Sequence, residues 1–243
     1  MSPEPANYPE DSLQDLLGFR GGGWWEEQVD GIKLERGALL WTFVPHPHVA
    51  ALELEAAPPA GPPDPERARI RLTAHELGAR PDVSAPVPAL AQRVDERLLA
   101  RRGAVRLALV VSHLHGYPPQ PSEARRWMTA PLVMVAPCFD AARWPAPLVD
   151  SVRRAQHPQY LWERSPVAPH EPMIIRLDAM QPLHREDRAA VRFTGARLSG
   201  DALDLLDDWL AWFLTGSIAE DSDLYAAHRT LRELYGVASG EDG

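Results

Sequence analysis

Short apolar runs of strand length, each cut by proline, glycine or charge, dominate the first three-quarters of this chain and leave little room for long helices. Ala38–Val44 (ALLWTFV) is opened by Arg36-Gly37 and closed by Pro45-His46-Pro47, where proline ends ladder pairing. Val49–Ala56 alternates in part. Ala68–Leu77 alternates cleanly, with Ile70, Leu72 and Ala74 facing one way and Arg69, Arg71 and Thr73 the other. Val105–Ser112 and Pro131–Ala136 are apolar enough for buried strands, and Pro172–Leu177 is a further strand. Residues 88–102 have helical composition, and Ala146–Ala155 suits a short helix. Ser199 is a good N-cap for a helix over Asp201–Leu214, with Asp201 in the first turn. There Leu203, Leu206, Leu210 and Phe213 form one stripe, mostly opposite Asp204, Asp207 and Asp208. A last helix, Asp223–Tyr235, follows Gly216. Six strands with late helices predict a mainly β fold with some α: a small barrel or rolled sheet with C-terminal helices, not a doubly wound α/β fold.

The 243 residues suffice for one sizeable domain or two small ones. The N-terminus lacks the positive start and apolar run of a signal peptide, and no segment has 18 uninterrupted apolar residues. A cytoplasmic protein with no membrane partner is expected. The single cysteine, Cys138 in VMVAPCF, cannot form an internal disulfide and reads as a small core residue. The formal charge is −9, unevenly spread: residues 93–197 carry +6, residues 1–92 carry −7 and residues 198–243 carry −8. Polyanion binding is permitted in the middle only.

Two His-x-His pairs, His46-Pro47-His48 and His113-Leu114-His115, close strands, and residues i and i+2 share a strand face suited to a metal. Asp140 is a candidate carboxylate for such a set. Ser112 beside His113 lacks the Gly-x-Ser-x-Gly elbow of a hydrolase. Gly21-Gly22-Gly23 lacks the context of a phosphate loop and reads as a joint, with Trp24-Trp25 as an apolar anchor. The aromatic segment 156–163 and Trp127, Trp144, Trp209 and Trp212 read as packing groups.

Four motifs occur in a telling order. They are Arg36-Gly37-Ala38-Leu39-Leu40-Trp41; Arg106-Leu107-Ala108-Leu109-Val110-Val111-Ser112; Val135-Ala136-Pro137-Cys138-Phe139; and a strand Ile175-Arg176-Leu177-Asp178-Ala179-Met180 with Arg197-Leu198-Ser199-Gly200 before a helix. Over residues 34–215 this order resembles the PemK/MazF growth-inhibitor family of toxin–antitoxin pairs, with long insertions at 46–104 and 138–172. The resemblance implies an SH3-like barrel over 32–216; the flanking residues read as an N-terminal arm over 1–31 and a C-terminal helix and tail over 217–243. It further implies metal-independent, cofactor-free cleavage of single-stranded RNA, an antitoxin-like protein partner and a homodimer. Arg106 matches the family's catalytic arginine, which recognises phosphate oxygens by two-point contact. Phe139 stands where the family has Ser or Thr, and it can neither donate nor accept a proton. Leu107 replaces the proline after the arginine, and Asp140 would repel a phosphate. The expectation is therefore a degraded RNase site that still binds RNA or protein, with Arg36, Arg106, Ser112 and Arg143 as RNA contacts. One alternative is an active endoribonuclease using Arg106 with His113 or His115 as acid and base. Another is a metal-dependent enzyme at the His-x-His pairs.

Overall fold

The structure, a computed structural model, describes residues 8–19, 23–26, 34–46, 48–56, 70–74, 99–112, 132–184 and 191–235. The chain divides into one unit of residues 1–43 and 105–243 and a second of residues 44–104. The fold is mainly β with a few helices, and its large antiparallel sheet is strongly curled, as in a half-barrel.

The large sheet runs in the order β1 (Trp25–Glu26), β11 (Val191–Leu198), β2 (Ala38–Pro45), β6 (Gly103–Val110), β7 (Leu132–Asp140), β9 (Pro172–Arg176), β8 (Tyr160–Arg164). β10 (Gln181–His184) also pairs with β7. Its partners on that strand explain a split in the sheet. β9 takes the Cys138–Asp140 half of β7 and β10 takes the Leu132–Val135 half. Between them the chain steps out through a 3-10 turn at Leu177–Ala179, opposite Pro137, which has no N–H to donate. Residues 44–104 hold a three-stranded antiparallel sheet, β4 (Ile70–Ala74), β3 (Leu52–Ala56), β5 (Leu99–Ala100).

Both faces of β6 and β7 are buried in the middle of the large sheet, which is why LALVV and LVMVA are continuous apolar runs rather than alternating ones. Ala38, Leu40, Ala108, Val110, Val133 and Val135 form a small cluster with side chains from β10 and β11 and from no helix, as expected inside a curl. Leu39, Leu109, Val111, Ala136 and Cys138 point the other way into the main cluster. The helices α1 (Leu13–Leu16), α2 (Ala146–Arg153), α3 (Gly200–Thr215) and α4 (Asp223–Tyr235) contribute to that main cluster.

α3 begins as expected, with Ser199 Oγ accepting from Ala202 N. Its buried side is rotated from the expected stripe. Ala202, Leu205, Leu206, Trp209 and Trp212 are buried, whereas Leu203, Leu210 and Phe213 lie at the margin. Trp209 Nε1 donates to Pro158 O at 2.8 Å, which fixes that rotation. β1, β8, β10 and β11 were not expected, and the strand expected through Met180 ends at Arg176, where the 3-10 turn begins. The helical expectation for 88–102 fails at its end, where Leu99–Ala100 is strand, and residues 88–98 lie outside the described residues. No helix among the described residues is long and apolar enough to cross a membrane.

Candidate functional site

β6 and β7 run antiparallel with Ala108 opposite Pro137, and two residues further the same register sets Arg106 opposite Phe139. The Arg106 guanidinium lies over the Phe139 ring, 4.8 Å from its centroid. On the far side of β7, Phe139 pairs with Ile174, and Arg176 follows two residues along β9. Arg176 lies 5.7 Å from the Phe139 ring and 5.8 Å from the ring of Tyr160, its cross-strand partner on β8. Trp144 meets Tyr160 edge-on at 5.4 Å. The result is a row across three strand pairs in which arginines alternate with aromatic faces, an arrangement that holds guanidinium planes in place.

Beside this row lies a pocket of about 340 Å³. Trp41, Leu107, Phe139 and Met173 give it apolar walls, Arg106 and Arg143 give it cations, and Asp140 and Glu171 give it carboxylates. The charges are not equally available. Arg176 is taken up by Asp178, with Nε–Oδ1 at 2.9 Å and Nη2–Oδ2 at 2.5 Å. Arg143 is exposed and reaches Asp140 at 3.4 Å. Among the described residues Arg106 meets no carboxylate, and its Nε is buried without a hydrogen-bond partner. Asp140, flagged as a repulsive charge, has a local role: its Oδ1 accepts from Ala142 N at 2.9 Å and caps the Ala141–Arg143 turn. Its charge is partly offset by Arg143.

The other sequence candidates lie elsewhere. Arg36 is buried; its Nε donates to Val111 O at 3.2 Å and its guanidinium grips both carboxylate oxygens of Asp207 on α3. Ser112 Oγ accepts from Met134 N at 2.8 Å, a tie between β6 and β7. His113 and His115 lie outside the described residues. His46 and His48 stack at 5.6 Å, and among the described residues no group of three or more His, Cys, Asp or Glu side chains could hold a metal ion.

A serine–histidine contact does occur away from the pocket. Ser151 Oγ lies 2.9 Å from His157 Nε2, but the hydroxyl donates to Leu148 O at 2.8 Å. The imidazole is then the donor in the pair rather than a base, although burial pushes its pKa down. This is a helix-end tie, not an activated nucleophile.

Trp41, Tyr160 and Arg176 escaped the reading of the sequence as site residues. Their convergence depends on strand register across β8, β9 and β7, and β8 was read as a packing segment. Cys138, at the pocket margin, is buried with its thiol pKa pushed up by desolvation, which makes it unreactive. No family model, no curated protein and no solved structure matches the chain.

Proposed function

We propose that this chain is a PemK/MazF-like cytoplasmic protein that binds single-stranded RNA at the Arg106–Phe139 pocket without cleaving it. The observation that carries the reading is Arg106: a half-buried arginine in a concave pocket, stacked on Phe139, its Nε without a hydrogen-bond partner and its guanidinium in no ion pair among the described residues. Such a cation suits a phosphate oxygen, and the aromatic walls suit a base. Cleavage would need a group to move the 2′-hydroxyl proton, and Phe139 supplies none. An antitoxin-like partner, on this reading, covers the same pocket with an acidic segment.

The test is fluorescence anisotropy with a labelled single-stranded RNA, together with a gel assay for cleavage in EDTA. Wild type is expected to bind and leave the RNA intact. Arg106→Ala should weaken binding about 10- to 100-fold, the loss of one charge-assisted contact and its stack. Arg143→Ala should cost less, because that side chain is exposed and reaches Asp140. Equal binding by wild type and Arg106→Ala would remove the reading. Cleavage that survives EDTA would restore the endoribonuclease alternative.

A further inference from the structure

The connection between β8 and β9 brings to the pocket a carboxylate that phosphate binding does not call for. Glu171 is exposed and lines the pocket next to Pro172 and Met173, and its side chain makes no hydrogen bond or ion pair among the described residues. Its place is set through the backbone, where Glu171 O accepts from Ser165 N at 3.0 Å. The connection is also tied within itself. Ser165 Oγ donates to Val167 O at 3.0 Å and accepts from Val167 N at 3.1 Å, and His170 N donates to Val167 O at 3.0 Å. A side chain on a loop already ordered in this way gives up less freedom when a ligand engages it.

Arg106 and Glu171 stand to either side of Phe139. Arg106 is on β6, Glu171 immediately precedes β9, and these strands are the two neighbours of β7 in the sheet order. The two charged groups form no ion pair with each other. The pocket's second carboxylate is engaged: Asp140 Oδ1 accepts from Ala142 N at 2.9 Å, and Oδ2 lies 3.4 Å from Arg143 Nε. An unneutralised cation, an aromatic wall and an unneutralised carboxylate therefore follow one another across a cavity of about 340 Å³, a volume suited to one nucleotide rather than a duplex.

We propose that this pocket selects guanine, with Glu171 accepting from the base's N1–H and 2-amino group while Arg106 holds a phosphate oxygen of the same strand. The inference rests on the single-stranded RNA reading given above.

The chemistry of the bases makes the choice. A carboxylate only accepts, and its two oxygens fit two donors side by side. In a single strand the Watson–Crick edge is open to such contacts. Guanine alone among the four bases sets two donor groups next to each other there. Adenine and cytosine each place a ring-nitrogen acceptor beside their amino group, which faces the carboxylate with a lone pair. Uracil has one N–H between two carbonyls. Arg143, the pocket's exposed cation, suits the O6 and N7 acceptors that guanine carries on its adjoining edge. Trp41, Phe139 and Met173 offer the flat base an apolar surface without regard to its identity, so discrimination falls to Glu171.

Fluorescence anisotropy with short single-stranded RNAs that differ only in one central base, in a uridine background, tests the proposal. The guanine RNA should bind about 10- to 100-fold more tightly than the adenine, cytosine and uracil RNAs. Inosine, which keeps N1–H and lacks the 2-amino group, should fall between. Glu171→Gln, an exposed change that leaves the backbone tie to Ser165 in place, should remove the preference while the all-uridine RNA binds as before. Arg106→Ala should weaken all four RNAs alike and keep their ratio. Equal binding of the four RNAs by wild type, with Arg106→Ala weaker on each, would overturn guanine selection and leave the RNA-binding reading standing. A guanine preference undiminished in Glu171→Gln, or inosine binding as tightly as guanine, would overturn the contact assigned to Glu171. Absence of binding to any of the RNAs would remove the RNA-binding reading itself, and guanine selection with it.

Discussion

Gly37 shows how a residue in a recognisable motif takes its meaning from packing. Its φ is +83°, and a Cβ there would meet Leu203 Cδ2 at 2.9 Å, Leu198 Cβ at 3.3 Å and Arg197 Cγ at 3.4 Å. Its N–H donates to Val110 O and its carbonyl accepts from Leu198 N, so the β2 entry is pinned to β6 and β11 at once. Arg36 beside it is committed to Val111 and Asp207. The Arg-Gly pair was legible in the sequence as a strand opening; that it also ties strand to helix was not, because Asp207 lies 171 residues away. Gly37→Ala should therefore combine a left-handed backbone cost with overpacking, about 2–4 kcal/mol in all. Gly195, at φ +88° in the β11 bulge, has nothing within 4 Å of its would-be Cβ. Gly195→Ala should cost about 1 kcal/mol, the backbone part alone. Urea unfolding of the two variants checks the difference, and equal losses would mean that Leu203 simply moves aside.

The elements that were legible are those whose own sequence carries the signal. α3 has its N-cap at Ser199 and stops at Gly216, and β2 runs from Gly37 to proline. β11 was missed for a physical reason. Its apolar residues change face at the bulge: Val191 and Phe193 join the small cluster, whereas Ala196 and Leu198 join the main one. A strand apolar on different faces in its two halves shows no single period of two. Of the candidate site, Arg106, Phe139 and Arg143 were readable, while the alternation with Arg176 and Tyr160 needed register. α3 also carries an electrostatic burden. Burial first, then Asp207, Asp223, Asp221 and Asp204, raises the Asp208 pKa. A raised carboxyl pKa means that the charged form weakens the fold, a penalty absent below the unfolded pKa and present as pH rises through the folded one. Asp208→Asn should accordingly raise the melting temperature at pH 7, less so in high salt, and give no gain near pH 3. A gain that persists unchanged at pH 3 would point to packing rather than charge.

At the scale of the whole molecule, residues 44–104 form the second unit of the chain. Every described member of both hydrophobic clusters lies in the other unit. The chain leaves β2 for residues 44–104 and returns on β6, and these two strands are sheet neighbours. Gly37 N–H reaches Val110 O at 2.8 Å, so the start of β2 lies beside the end of β6 and the two strands run antiparallel. The end of β2 and the start of β6 are then close enough for a hairpin. Replacing residues 47–101 by a short Asn-Gly turn should leave a chain that unfolds cooperatively in urea, because the curled sheet keeps its strands and both clusters. The urea m-value should fall in proportion to the residues removed. Removing them also shortens the loop between β2 and β6, which lowers the entropy cost of bringing those strands together. A broad, non-cooperative transition would show instead that residues 44–104 are needed to complete the core that the two clusters begin.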